Sequence, residues 1–596
     1  MNTDFLPTTP AELRQRGWDQ LDVILVSGDS YIDSPFIGAA VIGRVLEGAG
    51  FRVGIIAQPD ITSPVDITRL GEPRLFWGVT AGCVDSMVAN TTPSRFKRKK
   101  DDYTPGGLNT RRPDRASITY TNLIRRFFKN TRPIVLGGIE ASLRRVAHYD
   151  FWSDSLRRSI LFDAKADYLL YGMAEQSVLS LTRALQNGDD PTQVRGLCYI
   201  SRQVPEGYLE LPSYEDVCAD KLVFINMFHT FYHNNDPLTA KGLYQRHADR
   251  LLVQNPPWPY ATQAEMDNVY KLPFQRTQHP YYEQQGAVTA LETIQFSINT
   301  HRGCYGECNF CAIAVHEGRT VRWRSPESIV AEAEHITRLP NFKGYILDVG
   351  GPTANMYGFE CHKKLKSGAC DDRRCLYPQV CQSLKPNHQP QIDLLRRLRR
   401  IPGIKKVFVA SGIRYDMVAA DQLHGQDYVK EIAEEHVSGQ LKLAPEHSER
   451  HVLAMMGKPG NDDLLRFKKW FDAYSERAGK KQFLTYYLIA AHPGCNEGDM
   501  VRLKQFVSRE LHISPEQVQL FTPTPSTYSS LMYYTGLDPF TLKPLFVEKD
   551  ISRREKQKAI VVEKPAVSPA ERRPSRRDGF YSRAAEERRN TTRRKH

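Results

Sequence analysis

Residues 300–319 read THRGCYGECNFCAIAVHEGR, and Cys304, Cys308 and Cys311 fall within eight positions, spaced C-x3-C-x2-C. The chain has only 11 cysteines in 596 residues, so three together ask for a chemical reason. Thiolates at short spacing hold soft metals. A structural zinc site takes four ligands, normally as two close pairs, which this loop does not offer. A ferredoxin-type 4Fe–4S cluster takes four thiolates. Three thiolates hold such a cluster and leave one iron open, as a catalytic cluster needs in order to bind a substrate or cosubstrate. His301 and His316 stand close enough in sequence to supply a fourth ligand, or to be hydrogen-bonding loop residues. A chance cysteine cluster or a zinc knuckle is the competing reading.

The surrounding elements give the loop a place. ETIQFSINT (292–300) alternates Ile294, Phe296 and Ile298, which predicts a strand directly before the cysteines. Ser325 and Pro326 then supply a capping residue and a first-turn proline for a helix. GYILDVGG (344–351), KVFVASG (406–412), QLKLAPE (440–446), QFLTYYLIAAHPG (482–494) and VQLFTPTPS (518–526) are further strand signals, with helical segments between them. Six strands alternating with helices predict an incomplete parallel (β/α)6 barrel, whose reacting groups belong at the C-terminal strand ends. In the first third, LDVILVSGD (21–29), FRVGIIAQ (51–58), PIVLGGIEA (133–141) and ADYLLYG (166–172) alternate with helical segments and predict a doubly wound parallel sheet. The expected fold class is therefore α/β. Its expected divisions are 1–211 for the doubly wound domain, 212–285 for a connector, 286–545 for the barrel, and 546–596 for a basic, disordered tail.

The cysteine spacing after the first barrel strand, with an aromatic residue before the last cysteine, resembles the radical S-adenosylmethionine (SAM) superfamily. The resemblance implies that Cys304, Cys308 and Cys311 hold a 4Fe–4S cluster, with Phe310 near the adenine of SAM. It implies that the open iron binds the amino and carboxylate groups of SAM. One electron then breaks the S–C5′ bond, and a 5′-deoxyadenosyl radical abstracts hydrogen from a substrate. Gly350 and Gly351 resemble the family's glycine motif, where exposed backbone meets the SAM amino group, although Pro352 replaces the usual following acid. Ser411 and Arg414 stand where the family contacts the ribose or the carboxylate, and Glu446 and His447 lie just beyond another strand end. The competing readings for these positions are a β–α turn and a helix-capping carboxylate. Pro493 and Gly494 resemble a turn after the fifth strand and read as structural.

The N-terminal domain resembles, in outline, the cobalamin-binding domain of many superfamily members. That domain's D-x-H-x-x-G motif appears here as DSPFIG (33–38), with Pro35 in place of the histidine that would ligate cobalt. The expectation is a related fold used for substrate or for packing against the barrel. As a whole, residues 10–545 resemble the YgiQ family of radical SAM proteins. The carrying segments are SGDSYIDSPFIG, LGGIEASLRR, NPPWP, the cysteine motif and LAPEHSE. The family leaves the substrate open. Two other functional classes stay open: a cobalamin- or sulfur-dependent transferase modifying RNA or protein, and a non-catalytic iron–sulfur or zinc interaction protein.

A second group, CHKKLKSGACDDRRCLYPQVC (361–381), carries Cys361, Cys370, Cys375 and Cys381 in a polar, basic stretch. It reads as an auxiliary iron–sulfur cluster, a structural zinc, or a set of unliganded thiols. The net charge is +13, of which Ile551–His596 supplies +9 through 15 Lys and Arg against 6 Asp and Glu. The basic tail leaves a nucleic-acid partner as the minor reading. Hydrophobic residues make up 41% and no run of about 18 apolar residues occurs, so no membrane span is expected. The N-terminus shows no secretory signal, and the expected compartment is the reducing cytoplasm. The expected partners are a substrate and an electron donor such as a flavodoxin or ferredoxin.

Overall fold

A computed structural model describes residues 4–562 of the chain. Strands β1 (Val23–Ser27), β2 (Val53–Ala57), β3 (Phe76–Thr80), β4 (Ile134–Gly137) and β5 (Tyr168–Leu170) are all parallel, in the order β2-β1-β3-β4-β5. Every residue of β1 and β2 is buried, because helices cover both faces. The strands accordingly read as continuous Val, Ile and Leu rather than as an alternation. This doubly wound order leaves a crevice at the carboxyl ends of β1 and β3, where the chain turns to opposite sides of the sheet.

The sheet does not stop at β5. Strand β6 (Leu197–Ser201) is antiparallel to β5, and β7 (Leu209–Leu211), β8 (Leu243–His247) and β9 (Arg250–Gln254) complete nine strands. Strands β8 and β9 lie inside the segment expected to be a connector, so 212–285 is in part sheet. The rest of that segment bridges the two halves: Phe228 and Tyr232 pack on Tyr528, Thr320 Oγ1 donates to the Tyr260 hydroxyl at 3.0 Å, and Arg276 donates to the Ser297 carbonyl at 3.1 Å. Helix Gln263–Tyr270 is closed by a capping box at Thr262, and Thr277–Gln278 pairs with Ile32–Asp33.

The second half forms the expected arc of parallel strands. Strand β10 (Ser297–Asn299) pairs with β11 (Asp348–Gly350), and Tyr345–Ile346, just before β11, pairs with β12 (Lys406–Val407). A parallel bridge joins Ile413 to Leu443 in β13 (Gln440–Glu446), which pairs with β14 (Phe483–Ala490), and β14 pairs with β15 (Gln519–Leu520). Helices Pro326–Ile336, Gln389–Arg399, Asp462–Arg477 and Glu497–Arg509 pack outside, burying Ile329, Leu395, Phe467 and Leu503 against the strands.

The tail expected to be disordered from residue 546 is a folded helix over Ile551–Val562. Arg554 is buried and donates to the Phe521 carbonyl, and Gln557 accepts from the Ala491 amide at 3.1 Å. These polar heads close the end of β15 and the turn after β14. The remainder of the expected tail, 563–596, lies outside the described residues. No helix among the described residues is long and apolar enough to cross a membrane.

Candidate metal centre

The three cysteines lie on the loop that leaves β10. His301–Arg302 first pairs antiparallel with Arg322–Trp323, which fixes where the loop starts. Gly303 has φ +83°, and a Cβ there would lie 2.6 Å from the Thr320 carbonyl oxygen, so the turn requires glycine. Cys311 N–H donates to the Cys308 carbonyl at 3.0 Å, closing a tight turn that brings the second and third cysteines round. Asn309 anchors that turn: its amide N–H donates to the Met456 carbonyl at 2.9 Å and its side chain to the Met455 carbonyl at 2.8 Å.

The sulfurs face a common space. Gly306 N–H donates to Cys304 Sγ at 3.3 Å, and Thr353 Oγ1 lies 3.6 Å from the same sulfur. A Cβ on Gly306 would stand 3.2 Å from Cys304 Sγ, 3.2 Å from Arg414 Nη1 and 3.6 Å from Cys308 Sγ, so glycine keeps a cradle open between thiols and guanidinium. None of the three cysteines is in a disulfide. Burial raises the Cys304 and Cys311 thiols above their usual range, and the Cys308 charge pushes both further in the same direction. Ionised together, the three thiolates would repel one another, and a shared cation would offset that repulsion and favour the charged form. Four thiolates around one zinc would sit about 3.8 Å apart, from tetrahedral geometry at a Zn–S bond of about 2.3 Å. Among the described residues, sets of three or more ligand atoms all within 4.8 Å of one another comprise Glu449, His451 and Asp499 and no cysteine. The trio therefore fits a wider group, a four-iron cluster, better than one ion.

Neither histidine completes the set as a fourth ligand. His301 is buried with both ring nitrogens engaged, Nδ1 with Thr300 Oγ1 at 2.8 Å and Nε2 with the Thr353 carbonyl at 2.9 Å. Burial lowers its pKa to about 4, so the ring is neutral and donates through one nitrogen. His316 points the other way, into the space between the loop and the first sheet, and burial lowers its pKa to about 4 as well.

The other sequence-derived positions surround the loop unequally. Gly350 ends β11, opposite Asn299 in the register, and its carbonyl accepts from the Thr300 amide at 2.7 Å. A Cβ on Gly351 would lie 2.6 Å from His301 Nε2, so the pair permits close backbone approach beside the cysteine loop. Ser411 donates its hydroxyl to Asp348 and its amide N–H to Asp348 Oδ1 at 3.2 Å, so toward a ligand this hydroxyl is an acceptor. Arg414 is buried: Nε and Nη2 hold Asp416 at 2.8 and 2.5 Å, and Nη1 lies 3.6 Å from Cys308 Sγ. Burial opposes the Asp416 charge, and Arg414 outweighs it and keeps the carboxyl below its usual range. Glu446 is buried at the end of β13 with φ +68°, a strained conformation for this residue type, and Lys458 Nζ lies 3.3 Å from its Oε1. His447 turns away from it, toward Cys495, with Nε2 3.5 Å from that sulfur. Phe310 packs edge-on to His492, with ring centroids 6.3 Å apart. Asp348, Thr353, Asp416 and Lys458 were not singled out from the sequence. An acid two residues before the glycine pair was the available signal for Asp348, and the others carried none.

A cavity of ≈380 Å³ lies between the carboxyl ends of β1, β3 and β4 and the short helix Ile313–His316 that follows Cys311. Ser27, Pro35 and Gly138 wall it from the first domain, and Arg302 and His316 from the cysteine side. Arg302 pairs with Glu175 across the boundary. The doubly wound domain thus places its crevice against the cysteine loop, and Pro35 faces it with no metal-binding atom.

Comparison with known proteins agrees with this geometry. Residues 5–297 match the family described as Radical SAM N-terminal, and residues 298–507 match the Radical SAM superfamily. A UPF0313 protein of Fusobacterium nucleatum subsp. nucleatum is 58% identical over 561 residues, covering 94% of this chain and 99% of that one. A UPF0313 protein of Thermotoga maritima is 48% identical over 563 residues, covering 94% and 98%. Among solved structures, the radical S-adenosylmethionine methyltransferase TsrM from Kitasatospora setae, with tryptophan and aza-SAM bound, aligns at 15% identity and TM-score 0.45, covering 85% of this chain and 74% of that one. The cobalamin-dependent S-adenosylmethionine radical enzyme OxsB, with aqua-cobalamin and SAM bound, aligns at 12% identity and TM-score 0.49, covering 92% and 58%. At these identities and scores the structural likenesses carry no argument about ligands. The family matches are consistent with the YgiQ resemblance and make the 4Fe–4S cluster and SAM the cofactors. With both radical SAM matches in sequence along one chain and close relatives over 94% of its length, the protein belongs to the UPF0313 family of radical SAM enzymes.

Proposed function

We propose that this enzyme cleaves SAM reductively and uses the product radical to abstract hydrogen from a substrate. The observation that carries the reading is the closure of Cys304 and Cys308 around Gly306, with the Arg414 guanidinium against the Cys308 sulfur. Cys304, Cys308 and Cys311 would hold the cluster. When bound and reduced, the cluster supplies the electron that breaks the sulfonium S–C5′ bond and releases a 5′-deoxyadenosyl radical.

The chain's own residues do the positioning. Arg414 sets a fixed positive charge beside the thiolates, and Asp416 holds its orientation by a bidentate pair. His301, neutral and tied at both nitrogens, leaves the fourth coordination position to a ligand from outside the chain. Gly350 and Gly351 offer backbone beside it without a side chain in the way. Asp348 orients the 410–411 turn through two amides, which fixes Ser411 as an acceptor. Tyr305, Val321, Met356 and Met417 pack an apolar floor beneath Cys304, which keeps water from a reactive intermediate. Glu446, with Lys458 beside it, and Phe310 are the remaining SAM contacts in this reading.

The cavity at the ends of β1, β3 and β4 favours one second reading, a cobalamin-dependent transferase. Pro35 in that wall has no imidazole for cobalt, so any cobalamin there lacks this ligand. A cobalt count on protein purified without air separates the two readings. For the first, anaerobic reduced protein with SAM should release 5′-deoxyadenosine and methionine, with a small reduced protein such as a flavodoxin or ferredoxin able to replace the chemical reductant. Absence of both products from fully clustered protein would overturn it.

A further inference from the structure

The stretch between β11 and helix Gln389–Arg399 brings four cysteines of one segment to one place. Cys361, Cys370, Cys375 and Cys381 all line one small cavity, and all four are free thiols. Over 361–388 the only helix is His362–Ser367, and the rest is turn and loop. Little regular hydrogen bonding holds this segment, and its apolar support is a small cluster around Phe359, Leu376 and Leu384. Four thiols converging in such a segment are what a metal-stapled loop provides.

We propose that Cys361, Cys370, Cys375 and Cys381 bind a second metal centre through four thiolates. Thiolates select zinc or iron–sulfur clusters over harder metals. Their spacing favours a cluster over one zinc ion. Zinc would draw the sulfurs to about 3.8 Å, and among the described residues no three cysteine sulfurs lie within 4.8 Å of one another. Either centre leaves a net negative charge on four thiolates, and Lys364, Arg373 and Arg374 line the same cavity to balance it.

The second group is also fastened to the first. Arg374 Nη1 donates to the Glu307 carbonyl at 3.1 Å and to Asn309 Oδ1 at 2.7 Å, both on the loop between Cys304 and Cys311. Lys364 Nζ lies 3.6 Å from Cys375 Sγ and 3.6 Å from Glu307 Oε1. Tyr305, next to Cys304, donates its hydroxyl to the Phe359 carbonyl at 3.3 Å. The second centre therefore braces the loop that carries Cys308. This inference is independent of the reaction proposed above.

The test is a count of iron, sulfide and zinc per chain on full-length protein purified without air. It compares wild type with a Cys304→Ala/Cys308→Ala/Cys311→Ala variant, which leaves the second group intact, and with a Cys370→Ser/Cys381→Ser variant. The triple variant should keep either iron with equal sulfide or about one zinc, and the double variant should lose that fraction. Iron with sulfide identifies a cluster, and zinc identifies a single ion; both support the second centre. Alkylation of the native triple variant gives a readout that needs no folded double variant. Its four insert thiols should be protected until a chelator or acid removes the metal. A triple variant with neither metal, insert thiols alkylated at once without chelator, or a double variant with wild-type metal content would overturn the proposal.

Discussion

The Arg414 guanidinium reaches in two directions: Nη1 lies 3.6 Å from Cys308 Sγ, while Nε and Nη2 hold Asp416 at 2.8 and 2.5 Å. A buried cation at that distance stabilises the more negative, reduced state of whatever the cysteines bind. An Arg414→Gln variant should lower the cluster's reduction potential by on the order of 200 mV, from roughly 4–5 kcal/mol of Coulomb energy over 3.6 Å at an effective dielectric near 20. It should also lose stability, about 3–5 kcal/mol, because Asp416 is left buried without its partner. A potentiometric titration followed by electron paramagnetic resonance reads the first effect, and an unchanged potential would contradict the role assigned to Arg414.

Gly306 is a second sensitive point. Its Cβ would meet Cys304 Sγ and Arg414 Nη1 at 3.2 Å, closer than ordinary van der Waals contact. A Gly306→Ala chain should fold, at a cost of about 1–3 kcal/mol for overpacking, yet hold less iron per chain after reconstitution. Full iron content with unchanged visible absorption would show that the cradle is not needed.

Acid should loosen the barrel through its buried imidazoles. Burial lowers the His447 pKa to about 4, against about 6.5 for an unfolded histidine. The unfolded chain therefore takes up a proton below pH 6.5 that the folded chain refuses until about pH 4. Stability is full above pH 6.5 and falls as the pH drops toward 4. Between pH 7 and 5 this one residue accounts for about 2 kcal/mol. The difference between the urea-extrapolated unfolding free energies at the two pH values should shrink by about 2 kcal/mol in a His447→Gln variant, and an unaltered difference would assign the pH dependence elsewhere.

Much of this architecture was legible in the sequence, and the exceptions have physical causes. The cysteine loop was legible because its donors are local: three thiols within eight residues need no tertiary contact to declare themselves. Most barrel strands were legible as short apolar runs, but the expected strand over 292–300 is strand only at Ser297–Asn299, because Leu291–Ile294, with Ile294 in the expected alternation, is a helical turn. Strand Phe76–Thr80 was not legible, since Gly78 interrupts a short run of five residues. Strands Leu243–His247 and Arg250–Gln254 carry buried Gln245 and Gln254, which are paired by long-range hydrogen bonds to the Ala147 amide, the Pro212 carbonyl and Arg145 that the local sequence does not show. Helix Ile551–Val562 was hidden by its charge: Arg554 and Gln557 are buried by hydrogen bonds to carbonyls and amides that composition does not reveal. At the site, the glycines, Ser411 and Arg414 could be named from position. The direction of Arg414 toward Cys308, and the roles of Asp348 and Lys458, depend on chain turns brought together from separate strands.

The central claim is that three cysteines, and not four, hold a cluster with a vacancy for SAM. Its most direct measurement is product formation by anaerobically reconstituted, reduced protein incubated with SAM, beside a Cys308→Ala variant. The wild type should yield 5′-deoxyadenosine and methionine, and the variant neither. A wild-type protein with its full iron and sulfide that leaves SAM intact would contradict the account.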